Sequence, residues 1–169
     1  MKVYGAGAVL CASFLFAYAR LAEKKREIAL LAGLCGALDR MYAELSSALT
    51  PLPGVIAQAA VPGSGPASSF FFQLLHGFES LDERDFRQIW EEAAKKHLKE
   101  LRAEDLSALV ELGSWLGRYT LEEQLAALDR CRQSLRESCN SRRASYQSER
   151  KLSYGLSFVA GCFLTILLL

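Results

Sequence analysis

The residues able to do chemistry in this chain of 169 residues are few and scattered. His76 and His97 lie far apart, and neither has an acid or a second imidazole at metal-ligand spacing. His97 stands among Lys95, Lys96 and Lys99 and reads as part of a solvated face, while His76, near Phe72 and Phe78, reads as packed or half-exposed. Glu91-Glu92 and Glu122-Glu123 are adjacent pairs, which diverge on a helix and cannot hold one metal together. Gly63-Ser64-Gly65 is followed by proline and phenylalanines without the lysine that a phosphate-binding loop requires. Ser13 has no base beside it. The cysteines (Cys11, Cys35, Cys131, Cys139 and Cys162) are odd in number and form no CxxC, so they read as small buried hydrophobes rather than as disulfide or zinc partners. No catalytic, cofactor or metal site emerges, and a non-enzymatic protein is expected.

The charge distribution says more. Only Lys2 of the 20 Lys and Arg residues lies outside positions 20–151, and all 19 acidic residues lie inside that span. A net charge of +1 argues by itself neither for nor against nucleic acid, and no such partner is expected. Val3 to Ala19 is an uncharged run, about 26 Å long as a helix, and Leu21 and Ala22 extend it if Arg20 snorkels. Leu152 to Leu169 is a second uncharged run, long enough for a membrane span. Arg20, Lys24, Lys25 and Arg26 follow the first run, and Arg142, Arg143, Arg150 and Lys151 precede the second. The positive-inside rule then puts the middle in the cytoplasm and both termini outside. A rival reading takes Lys2, the apolar stretch and Ala17-Tyr18-Ala19 as a signal peptide, which would export the middle on a C-terminal anchor as an adaptor or sensor unrelated to secretion.

Between the runs the pattern is helical throughout, with no sustained alternation to suggest a sheet. Leu31, Leu38 and Leu45 recur every seven residues, with Leu34, Met41 and Ala48 on the neighbouring line. Gly33 and Gly36 offer this helix a bend or a close approach. Thr50-Pro51-Leu52-Pro53 stops it, and Thr50 is expected to cap a short helix that runs to about Ala60. Helices are then expected over 68–78, over a stretch opened by Ser80 and Glu83 and ending near Leu98, and over 103–116 with Leu106, Leu109, Leu112 and Trp115 or Leu116 inward. Thr120 with Glu123 forms a second capping box, opening a last helix that carries Leu121, Leu125, Leu128 and Leu135. The expected fold is all-α: an antiparallel helical bundle between two transmembrane helices, its first and last helices continuing into the spans. The expected boundaries are 1–22 for the N-terminal span, 23–151 for the cytoplasmic bundle and 152–169 for the C-terminal span.

Candidate packing or partner positions follow from helix physics. Pro51 and Pro53 define the first turn. Gly113 costs its helix about 1 kcal/mol relative to alanine, which close packing of another helix would offset. Gly117 stands where a C-cap would end that helix. Ser153, Ser157, Gly161 and Thr165 fall every four residues, a small-residue stripe that suits helix association in lipid, either in a homo-oligomer or against Gly5, Ala8 and Ala12 of the first run. Phe70-Phe71-Phe72 cannot all face one way and mostly reads as core. Arg142-Arg143 and Arg150-Lys151 suit anionic lipid headgroups as well as a topology signal.

Several of these features occur together in one known order. The Thr50-Pro51-Leu52-Pro53 turn follows a helix carrying Glu44, Ala103-Glu104-Asp105-Leu106 leads into Glu111-Leu112-Gly113 and Leu116-Gly117, and the Gln124 helix and the closing run complete the chain. In this the sequence resembles the stage III sporulation protein AB family of endospore-forming bacteria, departing from it at Gly54, where the family usually has an acidic residue. The resemblance implies a subunit of the channel complex between mother cell and forespore, in the mother-cell membrane that surrounds the forespore. It also implies kinship with the inner-membrane platform protein of type II secretion and type IV pili. By that analogy the cytoplasmic domain meets the complex's AA ATPase and the spans meet other membrane subunits.

Overall fold

The computed structural model describes the backbone of residues 2–47, 50–60, 65–78 and 85–168, and side chains within them from 18 to 149. The described residues form six helices and no strand, so the expected all-α class holds. In chain order they are α1 (Lys2–Ser47), α2 (Leu52–Ala59), α3 (Pro66–Gly77), α4 (Phe86–His97), α5 (Ala103–Trp115) and α6 (Leu121–Leu168). Helix α1 passes through Gly33 and Gly36 without interruption. A Cβ at Gly33 would stand 3.3 Å from Ala67 Cβ, so α3 approaches α1 closely there.

Among the described residues no helix is long and apolar enough to cross a membrane. The two apolar runs of 3–19 and 152–169 lie outside the described side chains except for Tyr18 and Ala19. The chain divides into two compact units, Ala29–Cys139 and the pair of segments Met1–Ile28 and Asn140–Leu169.

In the first unit the heptad line of α1 is the core. Leu31, Leu34, Leu38, Met41 and Leu45 are all buried. Helix α6 answers with Ala127, Leu128, Cys131, Leu135 and Cys139, again one side chain per turn. Leu121, in the first turn of α6, is exposed. The shorter helices close the bundle through Val55 and Ile56, Phe70, Phe71 and Leu74, Trp90, and Leu109 and Leu112, all buried. Each such side chain contributes about 1.5–3 kcal/mol of transfer free energy, which is what orders helices too short to persist alone. The phenylalanine run splits as helical periodicity requires, with Phe70 and Phe71 inward and Phe72 exposed.

Helix starts differ from expectation at two places. Pro51, not Thr50, occupies the N-cap of α2, and its carbonyl accepts from Gly54 and Val55 N–H at 2.8 and 3.2 Å. The Thr50 hydroxyl turns back instead to donate to Glu44 at 3.4 Å. Helix α4 starts at Phe86 behind Asp85, whose carboxylate accepts from Arg87 N–H at 3.4 Å, while Ser80 and Glu83 lie outside the described residues. The second capping box forms reciprocally: Thr120 N–H donates to Glu123 at 3.0 Å, and Glu123 N–H donates to the Thr120 hydroxyl at 3.4 Å.

Candidate functional site

Among the described residues no group of three or more His, Cys, Asp or Glu side chains is placed to hold a metal. His97 corrects the solvated-face reading: it is half-buried, and its Nε2 is hydrogen-bonded to Gln73 Oε1 of α3. Burial, followed by the charge of Lys96, pushes its pKa below the ordinary histidine value. Cys131 and Cys139 are buried and Cys35 half-buried, all three as thiols rather than disulfides. Burial pushes the Cys131 thiol up to about 12, which leaves it without nucleophilic character at physiological pH.

The architecture instead offers surfaces. In the unit of Ala29–Cys139, Asp39 of α1 accepts from Arg136 at 2.9 and 3.1 Å and from Arg132 at 3.4 Å. Arg132 also pairs with Asp129 and lies over the Tyr42 ring, 4.5 Å from its centroid. These bonds hold α1 and α6 antiparallel at one register. In the other unit, Lys24 pairs with Glu149, and Arg142 Nη1 lies 2.7 Å from Glu27 Oε1, so the same two helices are again antiparallel. Both of those pairs stand just inside the apolar runs. Lys25, Arg26 and Arg143 are exposed there.

Gly117 lies near Leu52, the residue between Pro51 and Pro53: a Cβ at Gly117 would stand 3.2 Å from Leu52 Cδ2. Gly117 has φ +78°, a left-handed conformation that lets the chain leave α5 and that other residues pay about 1 kcal/mol or more to adopt. Its N–H donates to Gln124 Oε1 at 3.2 Å, and Gln124 Nε2 donates to Tyr119 O at 2.7 Å, so one side chain ties the turn to α6. Gly113, one turn earlier, lies against the Trp90 ring, and Trp90 Nε1 donates to Leu109 O at 2.8 Å. Ser153, Ser157 and Gly161 lie outside the described side chains.

Two features had no sequence signal. Arg40 of α1 donates to Gln58 O and Ala59 O at 3.2 and 3.1 Å, capping the C-terminus of α2 from the preceding helix. Helices α5 and α6 leave an open groove of about 210 Å³ between them, floored by Leu112 and Cys131 and walled by Trp115 and Ala127. Arg130 and Glu111 stand at its rim, the Arg130 guanidinium 5.6 Å from the Trp115 centroid.

The comparisons agree with the resemblance drawn from the sequence. A solved structure described as "Stage III sporulation protein AB (SpoIIIAB)" is similar in fold, with a TM-score of 0.64 and 20% identity, covering 72% of this chain and 97% of that one. Comparison with curated proteins finds none that matches. The family model described as stage III sporulation protein AB matches residues 2–169. The chain therefore belongs to the stage III sporulation protein AB family, and its role lies in sporulation.

Proposed function

We propose that this chain is a non-enzymatic platform or assembly subunit of the stage III sporulation complex, held by both ends in the mother-cell membrane facing the forespore. Residues 23–151 form the cytoplasmic part and dock the complex's AA ATPase, while the spans meet other membrane subunits and the lipid. One observation carries the reading. The two charge-free runs sit on α1 and α6, and the Lys24–Glu149 and Glu27–Arg142 pairs hold those helices antiparallel, so both runs extend to the same side of the pairs. This arrangement supports reading the two runs as a helical hairpin entering a bilayer, and the exposed Lys25, Arg26 and Arg143 suit its anionic headgroups. The Ser153, Ser157 and Gly161 stripe then serves close helix packing within the membrane, in a homo-oligomer or against the first span.

Topology is the test. A variant lacking the native cysteines and carrying Lys99→Cys is treated, in sporulating cells, with a membrane-impermeant thiol reagent known to reach the mother-cell surface. Labelling only after the membrane is opened is expected. Labelling of intact cells would place the domain outside, remove the ATPase contact and favour the exported adaptor.

A further inference from the structure

The groove between α5 and α6 has a short side chain on each helix, Ala108 on α5 and Ala127 on α6. Helix α5 presents Ala108, Glu111, Leu112 and Trp115, and α6 presents Ala127, Arg130, Cys131 and Ser134, each set at the i, i+3, i+4, i+7 spacing of one helical stripe. The two helices do not fill the space between them. A volume of about 210 Å³ is below that of pockets for drug-sized ligands or cofactors, and suits one or two apolar side chains. Its floor and wall are apolar and aromatic, and the aromatic surface continues outward where Trp115 packs on Tyr119 at 4.6 Å. Tyr119 and Leu121, just beyond, are among the exposed large hydrophobic residues.

The rim has one dominant sign. Glu104 and Glu111 lie on the same face of α5 as Ala108 and Trp115, and Glu123 and Glu137 lie on the same face of α6 as Ala127 and Ser134. All four carboxylates are exposed, and Arg130, the cation within this stripe, is drawn over Trp115. An apolar slot bordered by carboxylates complements an amphipathic helix whose apolar anchor is flanked by Lys or Arg. This chain does not supply such a helix among its described residues. Beyond the groove the exposed large hydrophobics among the described residues are Phe72, on a helix without Lys or Arg, and Tyr18, inside the first apolar run.

We infer that the α5–α6 groove is a docking site for a basic amphipathic helix of a different subunit, which inserts an apolar side chain between Ala108, Trp115 and Ala127 and sets its cations against Glu104, Glu111 and Glu137. This deepens the assembly-subunit reading and rests on it for the presence of a partner.

The test places a photo-cross-linking benzoylphenylalanine at Ser134, on the rim, in the full-length chain in sporulating cells, and maps the cross-linked residue by mass spectrometry. The expected product joins Ser134 to a helix of another protein, at an apolar position with Lys or Arg within one turn. Glu111→Lys should lower the yield by about fivefold or more. Reversing the facing cation to Glu in the partner should restore it, which removes misfolding of the variant as the cause. A cross-link to a second copy of this chain, to lipid or to an acidic or non-helical segment overturns the inference, as does no cross-link or a yield indifferent to Glu111→Lys. The Lys99→Cys labelling decides the platform reading separately, since it reports only the side of the membrane.

Discussion

Gly113→Ala sets helix propensity directly against packing. In an isolated helix the change stabilises by about 1 kcal/mol, because alanine loses less backbone entropy. In this fold the new Cβ would stand 2.2 Å from Trp90 Cδ1, 2.5 Å from Cγ and 2.8 Å from Nε1. Ordinary carbon contact begins at about 3.5 Å, so the ring or α5 must retreat by about 1.3 Å. The indole has little room to do so, since Trp90 is fully buried and packs edge-on against Phe70 at 5.0 Å. Its Nε1 also donates to Leu109 O at 2.8 Å, on α5 itself. Overpacking of this kind costs about 1–3 kcal/mol. Breaking the buried indole hydrogen bond adds about 1–3 kcal/mol. Set against the propensity gain, the net loss is about 3 kcal/mol, or a fall of about 6–12 °C in Tm for a chain of this size. The assay is thermal unfolding of the full-length chain in detergent micelles, followed by near-ultraviolet circular dichroism. A double-mutant cycle with Trp90→Leu isolates the contact: in that background the propensity gain stands alone and Gly113→Ala should stabilise by up to about 1 kcal/mol. Gly113→Ala that leaves Tm unchanged or raises it in the otherwise natural chain would refute the reasoning.

Three further outcomes follow from the same geometry. Arg40→Ala should cost about 1 kcal/mol and increase amide exchange at the C-terminal end of α2, because Gln58 O and Ala59 O lose their donor; unchanged exchange there would mean that water caps the helix as well. The unfolded chain protonates His97 near pH 6.5, and the folded chain does so only at lower pH. The unfolded state therefore takes up the proton first, so stability is full above about pH 6.5 and declines as pH falls below it; the urea midpoint from pH 8 to 5 should show this slope, flattened in His97→Asn. In the native protein at pH 8, Cys131 should resist maleimide while half-buried Cys35 reacts, and both should react once the chain is unfolded; equal native rates would contradict the burial that pushes the Cys131 thiol up to about 12.

What could be read from the sequence is what depends on neighbours along the chain. The heptad Leu31, Leu38 and Leu45 declares its buried face by spacing, and the structure buries all three. Thr120 and Glu123 form their box because both partners lie within one helical turn. The splitting of Phe70, Phe71 and Phe72 also follows from periodicity, since consecutive residues cannot share a face. The order of the Pro51–Pro53 turn, the Gly113 and Gly117 helix and the closing apolar run was enough to indicate the family.

Other features required residues far apart in the chain to meet. Nothing near Gly113 announces that an indole from α4 will lie on it, and nothing near Arg40 announces that it will cap α2. His97 looks solvated beside its lysines until α3 brings Gln73 against it. Thr50 carries the side chain of an N-cap, yet the cap falls on Pro51 because the Thr50 hydroxyl reaches Glu44 instead. The α5–α6 groove is the clearest case: alanines at 108 and 127 are unremarkable within their own helices and border a gap only when those helices face one another. Local spacing determined the helices and the faces they bury, because both are set within a few residues of backbone. Only tertiary structure decided which faces meet, because that depends on the volumes of side chains drawn from different helices.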